Sequence, residues 1–224
     1  MNRKALIVGA TGLVGGHCLH YLLQSPNYDR VTALVRRPLA LENPKLLTVT
    51  IDFDQLEQWS GYFAVNDIYC CLGTTIKQAG TRPEFRKVDY DYPVECGRLA
   101  LRAGAQRYLL VSAMGANAGS RIFYNRVKGE VEQTVINLGF QSTLIFRPSL
   151  LLGDRTGFRL GEKLAGWVLR GTAPLLTGPL KKYRPIPAET VTRAMVGQST
   201  EFTTGVRLIE SGEIAECADR INCE

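Results

Sequence analysis

The chain has 224 residues, of which 45% are hydrophobic and 21% are charged. This composition excludes disordered, collagen-like and coiled-coil classes, and at roughly 100 to 200 residues per domain the length predicts one domain with at most a small appendage. No run reaches the ~18 consecutive apolar residues that a bilayer-spanning helix needs, and the amino terminus shows no export signal. We therefore expect a cytoplasmic protein that does not enter a membrane.

The charge balance is positive, with 27 Lys and Arg against 21 Asp and Glu, a net charge of +6. This charge is compatible with an anionic ligand, a nucleic acid or an acidic surface. No helix-turn-helix, zinc or RNA-binding signature accompanies the basic residues, so we predict no nucleic-acid partner. Cys70 and Cys71 are adjacent in an apolar run, the other four cysteines are scattered, and the only histidines are His17 and His20. Because no group has the spacing of a metal site, we predict no metal.

Apolar runs alternate with stretches of helical spacing through the first 152 residues. The runs predict strands at 4–8, 31–35, 46–51, 67–72, 108–112 and 143–147. Helical spacing between them predicts helical segments at 13–23, 52–58, 86–103 and 123–138. This alternation is typical of an α/β protein in which helices cover both faces of a doubly wound parallel sheet, a Rossmann-like architecture.

The regular alternation fades after residue 152. Residues 153–187 are rich in Gly and Pro around one amphipathic piece at 160–170, and a helix at 189–198 and a strand at 206–209 follow. We predict a core at 1–152 and a small C-terminal lid region at 153–224, with the returning helix and strand in the same domain. The basic amphipathic piece suggests either membrane contact or a lid that packs on the sheet, and we favour the lid.

A glycine-rich turn joins the first predicted strand to the first predicted helix. It reads Gly9-Ala10-Thr11-Gly12-Leu13-Val14-Gly15. In a dinucleotide-binding turn of this form, Gly9 makes the tight turn, Gly12 lets the backbone approach a pyrophosphate and Gly15 lets the helix pack on the strand. Thr11 lies in the same turn, and the free amides of Leu13 and Val14 at the start of the helix would face the negative charge of the pyrophosphate. The alternative is a tight turn without a ligand.

The end of the second strand discriminates between the two nicotinamide cofactors. An acidic residue there usually binds the ribose 2′-hydroxyl of NAD, whereas a 2′-phosphate requires a cation. Here Arg36 and Arg37 directly follow the strand, and the next acidic residue is Glu42. A guanidinium binds a phosphate through two parallel hydrogen bonds, so the sequence favours NADP(H). The alternative is a solvated pair of arginines.

Tyr124 and Lys128 are four residues apart on a predicted helix, and Ser112 ends the strand before it. The spacing places both side chains on one helix face. A neighbouring ammonium favours the phenolate, so the tyrosine can exchange a proton with a substrate oxygen, which Ser112 could hold by a hydrogen bond. We predict Ser112, Tyr124 and Lys128 as catalytic residues. A surface tyrosine beside a solvated lysine is the structural alternative.

With these pieces the chain resembles the atypical short-chain dehydrogenase/reductases, and most closely the Tat-interactive oxidoreductase-like family. The resemblance covers nearly the whole chain, and it rests on the glycine turn, Arg36-Arg37, 49–54 (VTIDFD), 70–75 (CCLGTT), 88–92 (VDYDY), Tyr124 with 127–130 (VKGE), and 146–148 (FRP). The CCLGTT and VKGE runs are the family-specific ones.

The resemblance also implies further cofactor contacts. Asp52 would lie beside the adenine, Leu72, Gly73 and Thr74 would line the cofactor path, and the loop at Pro148 and Leu150 would cover the nicotinamide. Lys128 would also hold the nicotinamide ribose, next to Tyr124. The loop between Ser112 and Tyr124 departs from the family pattern and contains Asn117 and Ser120, so the third catalytic hydroxyl could come from elsewhere.

Two functions from different classes account for these motifs. The first is an NADPH-dependent oxidoreductase that reduces a small carbonyl or enone substrate by hydride transfer. The second is an NADPH-sensing regulatory protein that acts through a protein partner with little or no turnover. The short lid argues against a nucleotide-sugar substrate. The sequence leaves open the substrate, the protein partner and the choice between monomer and homodimer.

Overall fold

The computed structural model describes residues 3–153, 183–199 and 203–220. Its strands, in chain order, are β1 (Arg3–Val8), β2 (Tyr28–Val35), β3 (Leu46–Thr50), β4 (Asp67–Cys70), β5 (Arg107–Val111), β6 (Ser142–Arg147), β7 (Leu151–Leu152), β8 (Ile186–Pro187) and β9 (Gly205–Glu210). The helices are α1 (Leu13–Gln24), α2 (Ile76–Ala79), α3 (Arg82–Arg86), α4 (Tyr92–Arg102), α5 (Phe123–Leu138), α6 (Ala188–Gln198) and α7 (Ser211–Arg220). A 3-10 segment, Phe53–Phe63, and a π-helical turn, Lys87–Asp91, complete the set.

Seven of the strands form one parallel sheet in the order β3-β2-β1-β4-β5-β6-β9. Side chains alternate between its faces, as the strand period of two requires. In β1, Ala5 and Ile7 pack with α1, α6 and α7 on one face. Leu6 and Val8 pack with the 3-10 segment, α4 and α5 on the other. The sheet is thus covered on both faces, which confirms the predicted doubly wound, Rossmann-like α/β architecture.

The strand order reverses between β1 and β4, and this reversal positions the site. From β1 the chain continues to β2 and β3 on one side of the sheet, and from β4 it continues to β5 and β6 on the other side. A crevice therefore opens between the carboxyl ends of β1 and β4. Gly9 follows β1 with a φ of +85°, and a Cβ there would lie 2.8 Å from the backbone nitrogen of Leu72. Only glycine allows this turn and this close approach.

The region predicted as one helix at 86–103 differs in detail. Helical structure begins earlier, at α3, where the Thr81 hydroxyl accepts a hydrogen bond from the amide of Glu84. Pro83 in the first turn, which needs no amide hydrogen there, fits this early start. The chain then passes through the π-helical turn, which contains Asp89, before α4 begins. A π-helical turn contains one residue more than an α-helical turn, and such turns often occur at functional sites.

The returning strand joins the main sheet and the returning helix packs on α1, whereas the sequence prediction grouped both with the lid region of the same domain. β9 pairs with β6 in register from Ser142 and Gly205 onward, and α6 packs against α1. The amphipathic piece predicted at 160–170 lies outside the described residues. Within the described parts of the chain, no helix is long and apolar enough to cross a membrane.

Candidate cofactor and catalytic site

The glycine turn is built to receive an anion at the start of α1. The Gly12 amide donates to the Gly9 carbonyl over 2.9 Å, which closes the turn. No side chain caps the helix, and its first turn contains no acidic residue. The first amides of α1, at Leu13 and Val14, have no partner within the helix, and the helix dipole adds partial positive charge there. A phosphate group fits this end of the helix without a competing side chain.

A cavity of about 840 Å³ opens beside this turn at the carboxyl ends of the strands. Its wall brings together most of the predicted site, namely Gly9, Thr11, Gly12, Leu13, Val14, Arg36, Leu72, Gly73, Thr74, Ser112, Tyr124 and Lys128. The glycine turn, the end of β2, the loop after β4 and the start of α5 thus meet at one place. This volume lies within the usual size of a small-molecule site.

Five predicted cofactor residues do not line this cavity among the described residues. Gly15 packs against the turn instead, because a Cβ there would overlap the carbonyl oxygen of Gly9. The Asp52 carboxylate accepts a hydrogen bond from the Asp54 amide and so caps the 3-10 segment. Pro148 is buried, while Arg37 and Leu150 are exposed. Their cofactor contacts stay predictions.

Arg36 directly follows β2 and is the member of the arginine pair that lines the cavity. It is exposed, it lines the cavity, and it makes no hydrogen bond or ion pair with any residue that the structure describes. Its neighbour Arg37 shares the exposure and the lack of a partner within the same residues. A guanidinium that is not engaged by a carboxylate keeps its full donor set for a phosphate.

Tyr124 and Lys128 lie one turn apart on α5 and both face the cavity. The Tyr124 ring packs 5.7 Å from the ring of Phe85 on α3. Lys128 is buried, and its Nζ lies 2.8 Å from Oδ1 of Asp89. Burial alone opposes the charged ammonium, but the charges of Asp89 and Tyr124 outweigh it, so the pKa of Lys128 is raised above its ordinary value. The lysine is therefore an ammonium at neutral pH.

Ser112 lines the cavity, but its hydroxyl is already engaged. It donates a hydrogen bond to the buried carboxylate of Glu132 on α5. Arg147 of β6 donates to the same carboxylate, with its Nε 3.0 Å from Oε1, and also contacts Glu210 over 3.0 Å. In this arrangement the Ser112 oxygen keeps its lone pairs for the cavity while its proton points away from it.

Replacing Glu132 with glutamine is expected to lower the free energy of unfolding by about 3 kcal/mol, because it removes the buried charge that Arg147 and Ser112 both bind. Urea denaturation measures the loss. Glu210→Gln is the matched control, since it removes the exposed partner of the same arginine and is expected to cost less than about 1 kcal/mol. Equal losses in the two variants would contradict a special role for the buried carboxylate.

Sequence reasoning missed three residues of the site. Glu132 follows Tyr124 and Lys128 at the same spacing of four, so the helix period could have found it. Asp89 stands within the run at 88–92 that contributes to the family resemblance, but its contact with Lys128 depends on the π-helical turn. Phe53 follows Asp52 and lines the cavity in its place. The resemblance pointed to Asp52 at this place, and the structure adds its aromatic neighbour to the cavity wall.

Comparison with known proteins agrees with this geometry. The model of a family described as NAD(P)H-binding matches residues 9–168. The chain therefore belongs to this NAD(P)H-binding family and has its oxidoreductase-like fold.

Relatives that cover nearly the whole chain narrow the family further. The protein HTATIP2 of Rattus norvegicus is 34% identical to it, over 95% of this chain and 88% of the relative. The mitochondrial protein FMP52 of Candida albicans is 32% identical, over 98% of this chain and 100% of the relative. The chain is thus a member of the Tat-interactive oxidoreductase-like family, as its motifs indicated.

Solved structures confirm the fold. MoeE5 in complex with UDP-glucose and NAD superimposes with a TM-score of 0.69 at 15% identity, covering 98% of this chain and 82% of that chain. The UDP-Glc/GlcNAc 4-epimerase from Campylobacter jejuni gives a TM-score of 0.68 at 13% identity, covering 100% of this chain and 84% of that chain. At these identities the likeness shows the Rossmann-like fold alone.

The names of the relatives contradict the predicted cytoplasmic location. The FMP52 proteins of Candida albicans, Eremothecium gossypii and Coccidioides immitis are all named mitochondrial. The prediction of a cytoplasmic protein was wrong because it rested on the lack of a recognisable export signal. The lack of a recognisable export signal does not distinguish between the compartments inside a cell.

Proposed function

We propose that this chain is an NADP(H)-dependent oxidoreductase of the short-chain dehydrogenase/reductase type that reduces a small carbonyl or enone substrate. One observation carries the proposal. Tyr124 and Lys128 lie in the wall of the same cavity as the glycine turn and Arg36. A proton donor, an ammonium and a phosphate-binding helix end thus share one space, as hydride transfer from a dinucleotide requires.

The residues present fit a dinucleotide. The uncapped start of α1 would hold the pyrophosphate, and Arg36 would hold the 2′-phosphate. The Lys128 ammonium forms an ion pair with Asp89 and lines the cavity, so it would also donate to the hydroxyls of the nicotinamide ribose. When bound, the reduced nicotinamide supplies the hydride that the protein itself lacks.

The proton comes from the chain's own side chains. Tyr124 donates its phenolic proton to the substrate oxygen as the carbonyl carbon gains hydride, which yields an alcohol. Lys128 lies one helical turn away, and its positive charge stabilises the phenolate that remains. The Ser112 hydroxyl donates its hydrogen bond to Glu132, so toward the cavity its oxygen can only accept. It can therefore receive a hydrogen bond from the Tyr124 hydroxyl or from the product alcohol.

Titration of the purified protein with NADPH and with NADH tests the cofactor part of the proposal. We expect NADPH to bind at least about tenfold more tightly, which corresponds to ~1.4 kcal/mol. Arg36→Ala is expected to remove most of this preference by weakening NADPH binding about tenfold while leaving NADH binding nearly unchanged.

Arg30→Ala is the matched control for this titration, since Arg30 is an exposed arginine on the same strand, remote from its carboxyl end. It should leave both affinities unchanged. Equal affinity for the two cofactors in the parent protein would contradict the assignment of Arg36. Binding of neither cofactor would mean that the glycine turn is structural here, and the reductase proposal would fail.

A further inference from the structure

The Asp89 carboxylate lies between Lys128 and the loop that follows β4. Its Oδ1 is 2.8 Å from the Lys128 Nζ, and its Oδ2 accepts a hydrogen bond from the Thr74 amide over 2.8 Å. The side chain of Lys128 is 6% exposed and that of Asp89 is 0% exposed. A Cβ on Gly73 would lie 3.6 Å from Asp89 Oδ1 and 3.8 Å from Lys128 Nζ, so the loop backbone packs directly over the pair.

A buried ammonium is stable only with a partner of opposite charge, because desolvation otherwise favours the neutral amine. Besides Asp89, the titratable groups that interact with Lys128 are Tyr124 on the same helix and Cys70 at the end of β4. Two other carboxylates lie in the same region, Glu84 in the cavity wall and Glu132 one turn further along α5. Glu132 is held by Arg147 and Ser112, and Glu84 is exposed. Among the described residues, Asp89 is therefore the carboxylate that compensates Lys128.

We propose that Asp89 is a positioning residue of this site, which keeps the Lys128 ammonium charged and directed at the cavity and ties it to the cofactor-lining loop at Thr74. The effect of Asp89 on the charge of Lys128 does not depend on the proposed function, and only its expected effect on turnover rests on that function. The π-helical turn is what brings this carboxylate under the loop, since Asp89 stands at its centre. A residue that makes both contacts links the position of the lysine to the loop along which the cofactor would bind.

The charge of Lys128 can be followed directly, without cofactor or substrate. In protein labelled with ¹³C at the lysine Cε, the Lys128 resonance is assigned by its loss in Lys128→Met and titrated against pH. In Asp89→Asn the amide oxygen can still accept from Thr74, but the negative charge is gone. We expect the Lys128 titration to move down by about two pH units or more, because burial then acts without the opposing charge of the carboxylate.

Asp91→Asn is the matched control, since Asp91 is an exposed carboxylate in the same π-helical turn. It should leave the Lys128 titration in place. An unchanged titration in Asp89→Asn, or an equal shift in both variants, would overturn the inference. If Asp89→Asn does not fold, the titration of the parent protein tests the inference. The pKa of Lys128 should then lie above that of ordinary lysines, and a pKa below it would overturn the inference.

The pH profile of turnover separates this inference from the proposed function. If Lys128 must be charged, the rate in Asp89→Asn should fall at lower pH than in the parent protein, by the same shift as the lysine titration. A rate profile that stays in place while the lysine titration moves would overturn the catalytic consequence of the pairing. Failure to find any turnover in the parent protein would count against the reductase alone, because the lysine titration is read without it.

Discussion

Replacing Tyr124 with phenylalanine is expected to lower kcat for carbonyl reduction by about a thousandfold, because it removes only the proton that the substrate oxygen receives. The ring is retained and still packs against Phe85, so the cavity wall keeps its shape. NADPH affinity should stay within about twofold of the parent protein. Steady-state kinetics with a small carbonyl substrate, together with a cofactor titration, measure the two effects separately.

Tyr62→Phe is the matched control for this substitution, since Tyr62 is an exposed tyrosine in the 3-10 segment and does not line the cavity. It should leave kcat unchanged. Retention of more than about a tenth of the parent activity in Tyr124→Phe would mean that another group donates the proton. A parallel loss of NADPH binding would instead show that the tyrosine acts in cofactor binding rather than in chemistry.

Local signals made the fold and the glycine turn predictable from the sequence. Strand β1, the turn at Gly9 and helix α1 follow each other directly, so hydrophobic period and glycine spacing identify them together. Helix α5 was predicted with its observed bounds, Phe123–Leu138, because Gly139 ends it in the left-handed conformation with a φ of +82°. Such signals depend on neighbours in the chain and need no knowledge of the tertiary structure.

Contacts between distant segments were not predictable in the same way. Asp89 meets Lys128 from 39 positions earlier in the chain (128 − 89), and only the packing of the π-helical turn against α5 brings them together. Glu132 engages Ser112 from a different element, so its spacing alone does not reveal which hydroxyl it binds. Likewise, β9 joins the sheet beside β6 after a long intervening stretch, which is why the sequence suggested an appendage there.

The adenine contact that the resemblance implies for Asp52 stays a prediction, and the structure shows this carboxylate in a second role. A carboxylate at a strand end can bind a ligand or cap the next helical turn, because both uses need an acceptor that faces backbone or hydroxyl donors. The structure shows the cap, from the Asp54 amide and from the Gln55 side chain at 3.2 Å. The adjacent Phe53 faces the cavity, where an aromatic ring offers a flat apolar surface to a base.

Replacing Gly15 with alanine is expected to cost about 3 kcal/mol of stability and to weaken NADPH binding severely. A Cβ at this position would overlap the carbonyl oxygen of Gly9 and lie 2.7 Å from its carbonyl carbon, and neither atom belongs to a flexible side chain. The start of α1 must therefore move away from the turn, which displaces the amides expected to hold the pyrophosphate. Urea denaturation and cofactor titration measure the two losses.

Gly16→Ala provides the matched control one residue further along the same helix. A Cβ there would meet only the carbonyl oxygen of Ala10, at 3.6 Å, which is ordinary van der Waals contact. Alanine also favours the helix over glycine by up to about 1 kcal/mol, so this variant should be as stable as the parent protein or slightly more stable. If Gly15→Ala behaved like Gly16→Ala, close packing of helix on strand would not be what holds the turn in its ligand-binding shape. The difference between two adjacent glycines thus tests the geometry of the cofactor site without changing any polar group in it.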